Sequence, residues 1–251
     1  ISAVDAAEQF VKFDKASAGN ALLLTGTKDT IRYSPSDWKG VKMAVTNLRH
    51  DLRSVTGSEY APVVVATVGK SEIAKNYPKQ SKLLKGKWEQ YLIFTDKGQL
   101  VILGSDKRGT IYGIYELSRQ IGVSPWYWMA DAPIVHHDQL YVLPGTYTDG
   151  EPKVKYRGIF INDEWPSFGG WCGNQFGGIN SKAYSHIFEL LLRLKANYFW
   201  PAMWNSRFNE DDPKSPQLAD DMGIVMGTSH HEPMMRAHKE YVHRKAEVGP
   251  W

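Results

Sequence analysis

Residues 155–166, KYRGIFINDEWP, decide how this chain is read. Val154, Tyr156, Ile159 and Ile161 mark a short apolar run with a β-branched bias, the pattern of a buried strand. The run ends abruptly in Asn162, Asp163 and Glu164, then Trp165 and Pro166. In parallel α/β architectures ligands bind beyond the C-terminal ends of the strands, which would put these polar side chains at a site. A polar loop with a helix-capping acid is the competing reading, since most such acids are solvated.

The arrangement recurs twice downstream. A Gly-rich loop (Gly169, Gly170, Gly173, Gly177, Gly178) leads to a helix over residues 181–195, with Tyr184, Ile187, Phe188, Leu191 and Leu194 on its buried face. A second short strand at 198–200 runs into Pro201, Met203, Trp204 and Asn205. A third at 223–227 runs into Thr228, Ser229, His230, His231 and Glu232. Pro233 fits the first turn of a helix reaching residue 245, where its missing N–H is not needed. Repeated βα units of this kind mark a (β/α) barrel, whose chemistry sits at the C-terminal strand ends. Such a barrel takes about 250 residues, so the chain from Lys155 onward suffices for about three of eight units.

Upstream the pattern is a mixed α/β unit. Strands are expected at 21–25, 62–68, 91–94 and 100–103, the last two joined through Asp96, Lys97 and Gly98 as a hairpin. A helix is expected over 38–55, where Val41, Val45, Leu48, Leu52 and Val55 share a face before Gly57. Another is expected over 110–121, ending at Gly122. Residues 123–150 are rich in Pro, Gly and aromatics and read as a connector holding one strand at 139–142. The fold expected is therefore α/β. An N-terminal mixed α/β accessory domain with its connector fills 1–150, and the first βα units of a truncated (β/α)8 TIM-like barrel fill 151–251.

Composition excludes several classes. Thirty basic against 27 acidic residues give a net charge of +3. The one basic cluster, Lys70, Lys75, Lys79, Lys82, Lys85 and Lys87, lacks the interleaved aromatics of a nucleic-acid platform and reads as a solvated helix and loop. No apolar run approaches the roughly 18 residues of a membrane span, so no membrane partner is expected. No signal peptide is visible and the chain opens at Ile1, which suggests cropping or processing. A single cysteine, Cys172, excludes a disulfide within the chain and any Cys-based metal site. Nine Trp and thirteen Tyr supply flat faces on which sugar rings stack.

The chemistry-bearing motifs separate on spacing. The glycines match neither phosphate-binding pattern, and Trp171 and Phe176 would obstruct a phosphate; they are expected to shape an active-site loop. His230, His231 and Glu232 lack the H-E-x-x-H spacing because residue 235 is Met, and His238 and His243 lie five apart, so no metal is expected. Asp163, Glu164 and Glu232 suit glycoside hydrolysis, which needs two carboxyls. Asp163 and Glu164 are consecutive in an extended segment and face opposite ways, leaving Asp163 with Glu232 as a pairing that the sequence allows. Helix N-terminal charge stabilisation is the competing role for Glu232.

Four segments, GSDKRGTIYGIYELSRQIGVSPWYWMAD, RGIFINDEWPSFGGW, FELLLRLKANYFWPAMW and ADDMGIVMGTSHHEPMMRA, together resemble glycoside hydrolase family 115, the xylan α-1,2-glucuronidases. The resemblance runs from about Asp29 to the C-terminus. It implies inverting, metal-independent and cofactor-free release of glucuronic acid, or its 4-O-methyl form, linked α-1,2 to xylose in glucuronoxylan or its oligosaccharides. Asn162 and Asp163 would hold the sugar, Trp204 would form a pocket wall and His230 would contact the uronic acid, with His231 and Glu232 in the same substrate-binding motif. The general acid and base would lie on later strands, beyond Trp251, so this chain alone is expected to be inactive and its parent active. The substrate class implies a secreted or periplasmic location, and a homodimer is among the assemblies left open. The rival readings are a non-catalytic carbohydrate-binding protein and another barrel glycosidase, of family 67 or hexosaminidase type.

Overall fold

The computed structural model describes residues 4–5, 9–26, 31–201, 206–228 and 237–249. The chain divides into two compact units, Ile1–Lys155 and Tyr156–Trp251. The first runs β1 (Val4–Asp5), β2 (Val11–Lys12), β3 (Leu22–Leu23), β4 (Arg32–Tyr33), α1 (Lys39–Thr56), β5 (Val63–Thr67), a short 3-10 helix (Glu72–Asn76), α2 (Pro78–Leu84), β6 (Tyr91–Asp96), β7 (Gln99–Gly104), α3 (Lys107–Gln120), β8 (Tyr141–Val142) and β9 (Thr146–Thr148). Six strands form one sheet in the order β1-β9-β6-β7-β5-β4, and β2-β8-β3 form a small antiparallel sheet. Strands β4, β5 and β7 are parallel neighbours. β6 and β7 make the expected hairpin, turning through Lys97 and Gly98, both at positive φ.

The two faces of the sheet carry different residues because side chains alternate along a strand. Val64, Ala66, Leu92, Phe94, Val101 and Leu103 form a core with Ala74 of the 3-10 helix, Tyr77 and Leu84 of α2. On the opposite face α3 comes so close that a methyl group on Gly113 would lie 2.7 Å from Ile102. α1 packs beside α3. α3 starts three residues ahead of the expected point because the Asp106 side chain caps it, accepting from Gly109 N at 2.8 Å. Residues 123–150 hold more than the one strand expected, since β9 enters the main sheet between β1 and β6. Its Tyr147 is buried and stacks on Phe10 at 4.2 Å, a non-local contact that local composition does not reveal.

A buried carboxylate ties three strand ends of this unit together. Asp37, which follows β4, accepts Thr67 N at 3.1 Å and Thr67 Oγ1 at 2.8 Å at the end of β5. It also accepts Trp38 N at 2.8 Å. Thr67 Oγ1 in turn shares a hydrogen bond of 2.8 Å with Thr110 Oγ1 in the first turn of α3.

The second unit runs β10 (Gly158–Ile161), α4 (Phe168–Phe176), α5 (Ser181–Arg193), β11 (Tyr198–Pro201), α6 (Lys214–Met222), β12 (Val225–Met226) and α7 (His238–Val248). β10, β11 and β12 are parallel and adjacent in chain order. α5 is held to the sheet by an aromatic cluster in which Tyr184, Phe188, Phe199 and Phe208 meet edge-on or stacked at 5.0–5.9 Å. Three expectations are corrected here. The opening strand is not buried: Ile159 is 41% and Phe160 46% exposed, because β10 is an edge strand with no layer over these side chains among the described residues. The Gly-rich segment is no loop over 168–176 but the helix α4, which Gly177 ends in the left-handed region (φ 77°). A helix continuous from Pro233 is interrupted, since Ala237 is extended and α7 starts at His238; residues 233–236 lie outside the described set. No helix among the described residues is long and apolar enough to cross a membrane.

Replacing Asp37 by Ala would strand the backbone N–H groups of Thr67 and Trp38 and leave the Thr67 hydroxyl with Thr110 Oγ1 alone. We expect a loss of about 3 kcal/mol of stability, since hydrogen bonds to a charged group contribute about 1.5–3 kcal/mol each and are not additive. Urea titration followed by circular dichroism measures it; a loss below about 0.5 kcal/mol, typical of a surface substitution, would refute the tie.

Candidate active site

The parallel register of β10, β11 and β12 sends all three C-terminal ends to one edge of the sheet. Asn162 and Asp163 leave the first strand there. Trp204, His230, His231 and Glu232, expected to follow the second and third strands, lie outside the described residues.

Asp163 is 1% exposed, and its Oδ2 accepts Ser206 N at 2.9 Å and Ser206 Oγ at 2.8 Å. The carboxylate therefore pins the chain that resumes after β11 to the end of β10. Glu164 is exposed, and its carbonyl accepts from Ser167 Oγ at 3.0 Å and Gly169 N at 3.2 Å. Asn162 Oδ1 is buried and has no hydrogen-bond partner among the described residues. An amide oxygen in that condition is a ready acceptor for a hydroxyl. Asp163 also bears on Tyr184 beneath it: burial first, and then the Asp163 charge, push the Tyr184 hydroxyl well above the usual tyrosine range.

The glycines of α4 explain the next residue. Trp165 is 64% exposed, yet its indole lies on the bare backbone of that helix. A methyl group on Gly169 would sit 2.6 Å from Trp165 Nε1 and 2.9 Å from the Asp163 carbonyl oxygen, and one on Gly173 3.1 Å from Trp165 Cη2. These glycines give a broad aromatic ring a seat near the Asp163 carbonyl and leave much of it open. Residue pattern places Trp165 with the other residues at the strand end but gives it no specific role; the signal that could have done so is Gly169, Gly170 and Gly173 behind it. Cys172 on the same helix is buried, and burial pushes its thiol up to about 11, so it is no nucleophile at neutral pH. Among the described residues no three His, Cys, Asp or Glu side chains are gathered to hold a metal ion.

The arrangement can hold a polyhydroxylated ring: a buried acceptor, an open indole and a carboxylate that fixes the strand end. A family model for glycosyl hydrolase family 115 matches residues 149–251. Residues 149–251 belong to glycosyl hydrolase family 115. The chain is also similar to a solved family 115 4-O-methyl-α-glucuronidase, BtGH115A, which is described as specific for decorated arabinogalactans. Identity to it is 34%, the TM-score is 0.77, and the match covers 85% of this chain but 30% of BtGH115A. An N-acetyl-β-hexosaminidase from Streptomyces plicatus is similar at 14% identity and TM-score 0.54, covering 84% of this chain and 43% of that one. A chitobiase from Flavobacterium johnsoniae is similar at 15% identity and TM-score 0.51, covering 88% and 33%. Those two likenesses are of fold alone. A search of the curated proteins finds no match. The chain thus spans less than half the length of each of these solved structures.

Within the family 115 segment, Gly169→Ala is expected to unseat Trp165, because the methyl collides with both the indole and a backbone oxygen that cannot move freely. We expect about 1–3 kcal/mol of destabilisation from this overpacking. Trp165→Ala in the Gly169→Ala background should recover part of it, and chemical denaturation of the four proteins tests the coupling. Additive losses would disprove the seat.

Proposed function

We propose that the protein carrying this chain is a glycoside hydrolase that releases glucuronic acid, or its 4-O-methyl form, from a decorated plant polysaccharide. The observation that carries this reading is the family 115 match over residues 149–251 together with 34% identity to a 4-O-methyl-α-glucuronidase over 85% of the chain. The succession β10, α5, β11, α6, β12, with all three strands parallel and in chain order, fits the opening of a (β/α)8 barrel. Closure of such a barrel would also cover Ile159 and Phe160.

In this reading Asn162 accepts a sugar hydroxyl, Trp165 supplies an apolar face for a ring, and Trp204, His230, His231 and Glu232 complete the pocket from the next two strand ends. Asp163 positions: its Oδ2 is spent on Ser206, and a carboxylate so deeply buried is poorly placed to shuttle protons with a substrate. Inverting hydrolysis then uses an acid that protonates the leaving oxygen and a base that activates water on the opposite face, carboxyls about 6.5–9.5 Å apart, supplied by later strands. The bond cleaved is α-1,2 to xylose in glucuronoxylan. The described specificity of BtGH115A favours a second polymer, a decorated arabinogalactan, for the same released sugar.

The test uses a protein in which this chain is joined to the rest of a family-length catalytic domain. It is incubated with glucuronoxylan and with decorated arabinogalactan, and released 4-O-methylglucuronic acid is quantified by chromatography. Early proton NMR spectra should show inversion at the anomeric carbon, and a chelator should leave the rate unchanged. Asp163→Ala should slow release about 100-fold, the effect of a site displaced by about an ångström. Retention of both polymers without release from either would replace hydrolysis with plain glycan binding.

A further inference from the structure

The proposed hydrolysis makes no use of the C-terminal edge of the first unit's sheet, where a second site is built. β5 and β7 are parallel neighbours, but the chain leaves them for opposite faces. After β5 it enters the 3-10 helix and α2, which pack on Val64 and Val101; after β7 it enters α3, which packs on Ile102. Loops that diverge from adjacent parallel strands open a crevice beyond their carboxyl ends, the usual ligand position in α/β sheets. On the β5 side of that edge lies a cleft of about 390 Å³ whose described lining comes from the segment after β5 and includes Lys70, Ser71, Glu72 and Lys75.

Three strand ends bring their side chains together beside it, and Lys70 belongs both to the cleft wall and to that cluster. Trp38, after β4, is 40% exposed. Lys70 Nζ, after β5, lies 4.5 Å from the centroid of its ring, and Lys107 Nζ, after β7, lies 5.2 Å from it. An indole attracts each ammonium group, and two ammonium groups gathered at one ring attract an anion, with the Asp37 carboxylate already within electrostatic reach of Lys70. The bonds from Asp37 to Thr67 and on to Thr110 hold the three strand ends in place, so the cluster is not a chance meeting of long side chains. Ser71 gives an independent sign. It is 4% exposed and heads the 3-10 helix without capping it, and its Oγ in the cleft wall is buried with no hydrogen-bond partner. A buried hydroxyl left unpaired is costly, and a ligand oxygen would satisfy it. The one acid in the wall, Glu72, is neutralised by Lys75 at 2.6 Å.

We infer that the Trp38 cluster and the cleft it adjoins at Lys70 together bind the carboxylate of an acidic sugar, so that the first unit by itself holds a uronic-acid-decorated polysaccharide. Lys70 and Lys107 meet the carboxylate, Ser71 hydrogen-bonds the ligand, and the open part of Trp38 covers the apolar face of the ring. The inference rests on the polysaccharide substrate proposed above, and its failure is separable from the failure of that proposal.

Calorimetric titration of the 251-residue chain tests it with glucuronoxylan, with the same polymer after reduction of its carboxyl groups, and with inorganic phosphate. The native polymer should bind and the reduced polymer should not. The double variant Lys70→Gln, Lys107→Gln should weaken binding about tenfold or more, as expected for two charge-assisted contacts. Trp38→Phe should retain more affinity than Trp38→Ala, and a circular dichroism spectrum identifies a variant that has not folded. Binding unchanged in the lysine double variant overturns the inference and leaves hydrolysis untouched. Lysine-dependent binding of phosphate without binding of either polymer also overturns it, assigning the cleft to a free anion. Lysine-dependent binding of native polymer by a protein that releases no uronic acid upholds the cleft and overturns the hydrolysis.

Discussion

A buried aspartate standing just beyond a parallel strand accepts both the N–H and the hydroxyl of one residue on the neighbouring chain segment. Both units use this interaction. In the first, Asp37 beyond β4 takes the N–H and Oγ1 of Thr67 at the end of β5. In the second, Asp163 beyond β10 takes the N–H and Oγ of Ser206 beyond β11. Adjacent parallel strands have no tight turn between them, so the segments beyond their ends are not tied by the sheet ladder itself. A carboxylate with two acceptor oxygens ties them, and burial strengthens its bonds while making them costly to lose. The polar edge of each sheet depends on that bond.

Close backbone approach does the remaining positioning. In α4 the absence of side chains at Gly169 and Gly173 lets an indole rest on the helix and stay open to solvent. Underneath, Tyr184 and its aromatic neighbours fill the layer between α5 and β11, so the Asp163 carboxylate lies over a dry, well-packed floor. The exposed Ile159 and Phe160 contrast with that floor. They are apolar residues on a strand whose pattern is that of an interior strand, and their exposure belongs to the extent of the sheet in this chain rather than to the strand itself.

Much of the architecture was legible because local periodicity and local chemistry agree. The four-and-three spacing from Val41 to Val55, stopped by Gly57, matches α1, and the β-branched run 62–68 matches β5. The polar residues Asn162 and Asp163 at the end of β10 were legible for the same reason. Misreadings arose where a residue's role depends on something distant in sequence. Gly169 and Gly173 read as loop formers because glycine is a poor helix former, and only the indole packed against them shows why the helix needs them. β9 was absorbed into a connector because its partners, β1 and β6, lie far away in the chain. Ser71 and Trp38 gave no signal at all, since their meeting requires three strands to end side by side.

The sequence by itself determined α1, β5, the β6–β7 hairpin, α3, α5 and the family to which residues 149–251 belong, because periodicity, turn chemistry and motif order are properties of neighbours along the chain. Only the tertiary structure decided that Asp163 is buried against Ser206, that Trp165 is held open on α4, and that Lys70 and Lys107 gather at Trp38. Each of these joins residues tens of positions apart or places a ring on a backbone surface. Burial and proximity of that kind arise from packing, which residue spacing along one strand or helix does not encode.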